Sequence, residues 1–531
     1  MSKINIHEWN VEDAGFWEAQ GKKIALRNLW ISISALFQSF AVWIMWGIII
    51  VQMKKLGFTL GMPHETSQEL KVINEMLWTL PAIAGLSGAT LRIPHSFLIA
   101  IGGGRNVVFI STMLLMIPAI GAGFALQDKN TPYYIFALLA VLSGLGGGNF
   151  ASSMSNISFF FPKKMQGTAL GLNAGLGNLG VSAVQFMIPI LITGGYFGSP
   201  AGPGLELVEP DGAKAVGSLV FIQNAGCVGA PLLFLSAMAA YFGMNNLKIA
   251  TPQLGDTFAE FRKILLLILF GVIAAGTGAY ILTGIKLNMW IVLPVTIILT
   301  LFLMKTLSPK QIQGNLDRQF AIFKNKHNWI MTILYVMTFG SFIGYSASFP
   351  KLIQDVFGYL PGGAVNPNAP NPMIWAFLGP LVGALIRPVG GWFSDKINSG
   401  SKVTTWSTVA QIVAALGVAY FIVQAKASPA PEAYWWPFFG LFMVLFVATG
   451  VGNGSTFRSI PYIFPKEQAG PVLGWTSAIA AYGAFIIPIV FGQQIKAGHA
   501  EYALYGFTVY YAICLVLNWY YYDRKNSGIE C

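Results

Sequence analysis

Of the 531 residues, 55% are hydrophobic, 14% aromatic and only 10% charged, where a soluble domain would carry about 25% charge. That composition excludes a soluble globular protein, so the formal net charge of +11 bears on membrane orientation rather than on nucleic-acid binding. Three cysteines cannot pair completely and five scattered histidines form no metal-ligand cluster, so no disulfide framework, metal, cofactor or enzymatic chemistry is expected.

Residues 1–27 are polar and mixed in charge, without the apolar core and small-residue cleavage site of a removable signal. They read as a cytoplasmic N-terminal segment. Uncharged runs then recur, and about 20 apolar residues suffice to cross roughly 30 Å of hydrocarbon. Fourteen spans are predicted, near 28–53, 75–99, 106–127, 133–158, 168–193, 216–244, 264–284, 287–304, 328–350, 373–394, 403–424, 434–456, 471–492 and 503–522. Several contain Pro or Gly, which membrane helices tolerate because neighbouring helices satisfy the freed backbone groups. With both termini cytoplasmic, 21 of the 32 Lys and Arg face the cytoplasm, the bias that orients multi-span proteins.

Within the fifth run, "GLNAGLGNLG" carries a G-x-G-x-x-G match at Gly175, Gly177 and Gly180. A dinucleotide site would need a preceding strand and an acidic residue about 20 positions on, yet the first downstream carboxylate is Glu206 and 168–193 is uncharged. The alternative is packing. Gly171 and Gly175 share a helical face, widened by Gly177 and Gly180, and small faces let membrane helices approach closely. The polar Asn178 among them needs a partner or a polar cavity, which makes it a candidate site residue.

Just before this stretch lies "FPKKMQGTALG", and 303 residues later "FPKEQAGPVLG" repeats Phe, Pro, Lys, two Gly and Leu in register, with Gly180 matched by Gly483 and Gly171 by Gly474. A second echo pairs "SGATLRIP" with "VGALIRPV". The chain reads as an internal duplication of two six-helix halves with an inserted helical hairpin near 264–304. The predicted segments are 1–27, an N-terminal bundle 28–246, a linker with the hairpin 247–327, a C-terminal bundle 328–522 and a cytoplasmic tail 523–531. Parallel repeats about an axis along the membrane normal are the arrangement of major facilitator transporters, with substrate bound near mid-membrane. The expected fold is therefore all-α, with fourteen transmembrane helices, two of them additional and central.

Arg92 is the only formal charge between Glu75 and Arg105, and Arg387 the only one between Asp355 and Asp395. An arginine at the helix centre costs at least about 2.5–3.5 kcal/mol, which makes each a functional hypothesis. The alternative is an ion pair or a snorkelling side chain, and for Arg387 Asp395 is two turns away. A forked guanidinium suits a small oxoanion with coplanar oxygens. No carboxylate lies deep in a span to relay protons, which favours exchange of one anion for another. His95, one turn after Arg92, is the candidate for proton coupling instead.

The segments "NFASSMSNISFFFPK", "GLNAGLGNLGVSAVQ", "LYVMTFGSFIGYSASF" and both arginine segments resemble the nitrate/nitrite porter family of the major facilitator superfamily, over nearly the whole chain outside roughly 250–320. The resemblance implies that Arg92 and Arg387 grip nitrate or nitrite from opposite halves, with Phe150, Asn178, Tyr335 and Phe339 lining the site. It implies nitrate/nitrite exchange by a monomer in the bacterial cytoplasmic membrane, with the bilayer and the two anions as partners. Proton-coupled nitrate symport, or a carrier or sensor of another small anion, are the alternatives. Asp395 in "GGWFSDKINSGSK" is expected as a gating contact. The loop "AIGGGRN" lacks the corresponding acid, Ala480 replaces a glycine usual in the family, and the hairpin is absent from twelve-helix members, where peripheral packing or partner contact would be its use.

Overall fold

A computed structural model describes residues 5–196, 202–209, 214–361, 366–525, 527, 529 and 531. Residues 1–4 of the predicted N-terminal segment and 526, 528 and 530 of the predicted tail thus lie outside the described residues. The chain is helical throughout: α1 Ala14–Leu56, α2 Ser67–Gly102, α3 Gly104–Ala125, α4 Tyr133–Ser158, α5 Lys163–Leu191, α6 Asn224–Gly243, α7 Thr257–Thr283, α8 Met289–Leu307, α9 Lys326–Phe357, α10 Leu378–Lys396, α11 Gly400–Ala427, α12 Pro431–Ile463, α13 Lys466–Ile495 and α14 Ala500–Asp523. Twelve of these, all but α2 and α10, are long and apolar enough to cross a membrane. The other two are the helices that carry Arg92 and Arg387.

Local chemistry sets the ends. α2 opens on a capping box, with Thr66 Oγ1 accepting from Glu69 N at 3.2 Å and Glu69 Oε2 accepting from Thr66 N at 2.9 Å, a reciprocal pairing that satisfies two otherwise orphaned donors. It closes on Gly103 at φ 82°, a conformation glycine adopts without strain. Asp256, Asn288 and Asn325 cap α7, α8 and α9 through side-chain oxygens. α1 starts at Ala14, within the segment predicted to be polar, because Trp17 and Gly21 are buried in a π-turn that leads into the span. Strand structure among the described residues is limited to two short pairs, Asn5–Ile6 parallel with Asn246–Leu247 and Leu205–Glu206 antiparallel with Leu219–Val220.

Two compact units emerge. The first consists of Leu26–Ser153, Gly180–Arg318 and the N-terminal end through Trp9; the second of Asn10–Ala25, Met154–Leu179 and Gln319–Cys531. The hairpin α7–α8 falls in the first, along α2. A Cβ at Gly271 would stand 2.7 Å from Leu91 and 2.9 Å from Pro94, and Gly278 is closed in by Leu86 and Thr296. α7 thus packs on the residues flanking Arg92. The opposite faces of the hairpin, with Tyr280, Ile298 and Phe302, are exposed and apolar, as lipid contact requires.

Candidate functional site

In the first unit the site is built where α2 and α4 cross. Gly147 on α4 meets the backbone of Gly88 on α2, a Cβ there lying 2.7 Å from Gly88 Cα. Backbones this close place side chains one turn away in direct contact. Arg92 is fully buried, and its Nε donates to Gly147 O at 2.8 Å. Its Cζ lies 4.6 Å from the ring centre of Phe150, 5.1 Å from Trp43 and 5.9 Å from Phe40. Phe40 and Phe150 meet edge to face at 5.6 Å. The predicted pair Arg92 and Phe150 is therefore brought together, and α1 adds two rings that sequence reasoning missed. A ring face partly replaces the water a buried guanidinium gives up.

His95 lies one turn beyond Arg92. Its Nδ1 is 2.7 Å from Leu91 O and its Nε2 3.0 Å from Ser111 Oγ. Both ring nitrogens are engaged, with Nδ1 donating to the carbonyl in the tautomer that the second bond completes. Gly148 leaves room for this ring, since a Cβ there would fall 2.7 Å from Nδ1.

In the second unit α10 carries Arg387, and both neighbours present glycine to it. Gly171 and Gly175 on α5 meet Arg387 O, Ala384 O and Pro388, with Cβ positions at 3.1 Å and 2.6 Å from the two carbonyls. Gly450 and Gly454 on α12 stand against Gly383 O and Arg387 O with no space for a methyl group. Gly171 and Gly175 thus lie against α10, and the G-x-G-x-x-G stretch lies inside α5. Gly180 abuts Phe37 O on α1, and Gly483 abuts the backbone of Gly340.

Arg387 is fully buried. Among the described residues, none of Nε, Nη1 and Nη2 has a hydrogen-bond partner. Its surroundings are aromatic: Cζ lies 3.9 Å from the ring centre of Phe342 and 5.4 Å from that of Phe339. Tyr335 stacks on Phe339 at 5.6 Å and packs against Phe457 at 5.2 Å. A π-turn at Val336–Gly340 lies between Tyr335 and the rest of α9; such wide turns are frequent at functional sites. Asn178 is buried on α5, its Nδ2 donating to Ala174 O at 2.7 Å while, among the described residues, Oδ1 has no hydrogen-bond partner. Phe342 was missed, although its i+3 spacing from Phe339 puts both on one helical face.

Asp395, at the end of α10, caps α5. Its carboxylate accepts from Thr168 N at 2.8 Å, Thr168 Oγ1 at 2.8 Å and Gly167 N at 3.3 Å, where a helix N-terminus favours negative charge. The buried Arg458 stands beside it, Nε 4.0 Å from Asp395 Oδ1, with Nη2 bonded to Asn398 Oδ1 and the guanidinium 3.8 Å from the Tyr462 ring centre. The sequence placed Arg458 beyond the span 434–456, but α12 continues to Ile463 and buries it.

No protein-family model matches the chain. Curated relatives do. It is 37% identical over 528 residues to the probable nitrate/nitrite antiporter NarK2 of Thermus thermophilus, covering 99% of this chain and 98% of that protein. It is 33% identical to the nitrate/nitrite transporter NarU of Escherichia coli, covering 99% and 97%. Among solved structures, the major facilitator proton:xylose symporter XylE, 13% identical, aligns with a TM-score of 0.61 over 96% of this chain and 98% of that one, a likeness that shows the fold alone. The chain therefore belongs to the nitrate/nitrite transporter family and has the major facilitator fold, as a multi-pass membrane transporter and not an enzyme.

Proposed function

We propose that this protein exchanges nitrate for nitrite by alternating access, with Arg92 and Arg387 as the ligands of the anion. The observation that carries this reading is the surroundings of Arg387. A buried guanidinium without a protein oxygen is disfavoured unless a counter-charge joins it, and a planar oxoanion meets its fork with paired, charge-assisted bonds. The rings of Phe339 and Phe342 beside Arg387, and of Phe150 and Phe40 beside Arg92, suit a flat anion and crowd a bulkier one. Asn178 and Tyr335 supply further polar groups. Binding of a monoanion offsets one of the two positive charges of the site, and the loaded carrier is the form that reorients.

Exchange is favoured over proton symport because His95 already has partners at both nitrogens, and relatives carry the names nitrate/nitrite antiporter and nitrite extrusion protein. In this reading α2 and α10 also cross the bilayer, giving fourteen spans in all, and both termini lie in the cytoplasm of a bacterial cell as a monomer. The segments 28–246 and 328–522 are the two transport bundles, and the contact of Asp395 with α5 is a gating contact. Counterflow in liposomes holding the purified protein, with nitrate inside and nitrite outside, tests the mechanism. Uptake that requires internal anion and ignores an imposed proton gradient is expected. Accumulation driven by the gradient with no internal anion would replace exchange with symport.

A further inference from the structure

The 303-residue offset that carries Phe161 onto Phe464 also carries Gly147 onto Gly450, Ser152 onto Ser455 and Ile157 onto Ile460. Under the same offset Phe150, the ring nearest Arg92, falls on Asn453. The repeat thus places a carboxamide in one half where the other half has an aromatic ring. Asn453 is fully buried on α12. Among the described residues neither its Nδ2 nor its Oδ1 has a hydrogen-bond partner.

Its neighbours on α12 locate it. Residues seven and four apart share a helical face, so Phe446, Asn453 and Phe457 form one stripe. Phe446 meets Phe342 at 6.1 Å and Phe457 meets Tyr335 at 5.2 Å, so the stripe runs along the α9 rings that flank Arg387. The adjoining Gly454 stands against Arg387 O. Asn453 is thereby held at the level of Arg387 and on the face of α12 that looks toward Phe342 and Tyr335. Buried amides are normally hydrogen-bonded, and this one has a donor to give.

We infer that Asn453 is a further substrate-binding residue, its Nδ2 donating to an oxygen of the anion that Arg387 holds; this rests on the anion-exchange reading above. A neutral donor adds a directed bond to the anion without adding charge, whereas Phe150 offers the other half only a ring face. Its role differs from that of Asn178, whose Nδ2 is committed to a backbone carbonyl.

The test uses the full-length protein in liposomes, with nitrate counterflow and nitrate-dependent thermal stabilisation as parallel readouts. Asn453→Leu keeps the volume and removes the donor. It is expected to raise the nitrate KM about tenfold, to change the maximal rate less, and to weaken the stabilisation by nitrate, because a ligand protects only the state that binds it. Asn453→Ser, which restores a donor, should recover part of the affinity. Asn453→Asp, which sets a carboxylate against the anion, should abolish binding. A parental KM in either the Leu or the Asp variant would overturn the inference, as would losses that track only the amount of folded protein. Failure of the unsubstituted protein to exchange nitrate would instead remove the anion-exchange reading itself.

Discussion

Arg387 and Arg458 are both fully buried in the second compact unit, yet their surroundings differ in kind. Arg458 has oxygens: Nη2 bonds Asn398 Oδ1 and the carboxylate of Asp395 lies within 4.0 Å, although among the described residues Nε and Nη1 make no hydrogen bond. Arg387 has rings, with Phe342 at 3.9 Å and Phe339 at 5.4 Å and, among the described residues, no acceptor for its three nitrogens. Burial of a guanidinium therefore does not by itself mark an anion site. On the anion-exchange reading, what separates the transport ligand from the structural cation is whether the protein supplies a counter-charge, since a buried cation beside a carboxylate has one and an unpaired cation favours an anion.

The comparison can be broken most directly by exchanging each arginine for lysine or a neutral side chain. Arg387→Lys, and likewise Arg92→Lys, should lower nitrate counterflow by about 100-fold or more, because an ammonium cannot reproduce the two-pronged geometry. Near-parental rates in both would end the account. Arg458→Met should act on stability instead. Removal of one member of a buried ion pair is expected to lower stability by about 3–5 kcal/mol, seen as a lower thermal midpoint, while the nitrate KM of the folded fraction stays within about twofold. A KM shift like that of the Arg387 variant would erase the distinction.

Smaller effects sharpen the same contrast. Asp395→Ala removes the acceptor of three hydrogen bonds at the start of α5, and loss of such a cap costs about 1–2 kcal/mol. Its maximal exchange rate should fall more than its affinity if the contact gates the cycle. Unchanged rates would leave Asp395 a structural cap only. Gly175→Ala would set a methyl group 2.6 Å from Ala384 O, with an overpacking penalty of about 1–3 kcal/mol, read as reduced thermal stability. Gly440→Ala, where among the described residues nothing outside its own helix stands within 4 Å, is the matched substitution and should not lower stability, since alanine is the better helix former.

Much of this was legible before any coordinates. The uncharged runs that became helices and the glycine faces of α5 express local rules. The register of the duplication held enough information to point at Asn453, although only its burial and missing partners make the residue informative. Phe40, Trp43 and Phe342 were invisible as site residues because aromatic side chains in a chain this apolar give no contrast against lipid-facing neighbours. Arg458 was misplaced in a loop because hydropathy fades toward a helix end before the helix does.

The sequence by itself determined the membrane class, the order of the helices and the two lone arginines, because these follow from composition, run length and the scarcity of charge in hydrocarbon. Only the tertiary structure decided which cation has a protein partner, which rings face it, and that the hairpin α7–α8 lies on the helix of Arg92. Those outcomes depend on which helix backbones approach closely, and that is fixed by long-range packing at glycine contacts rather than by any local pattern.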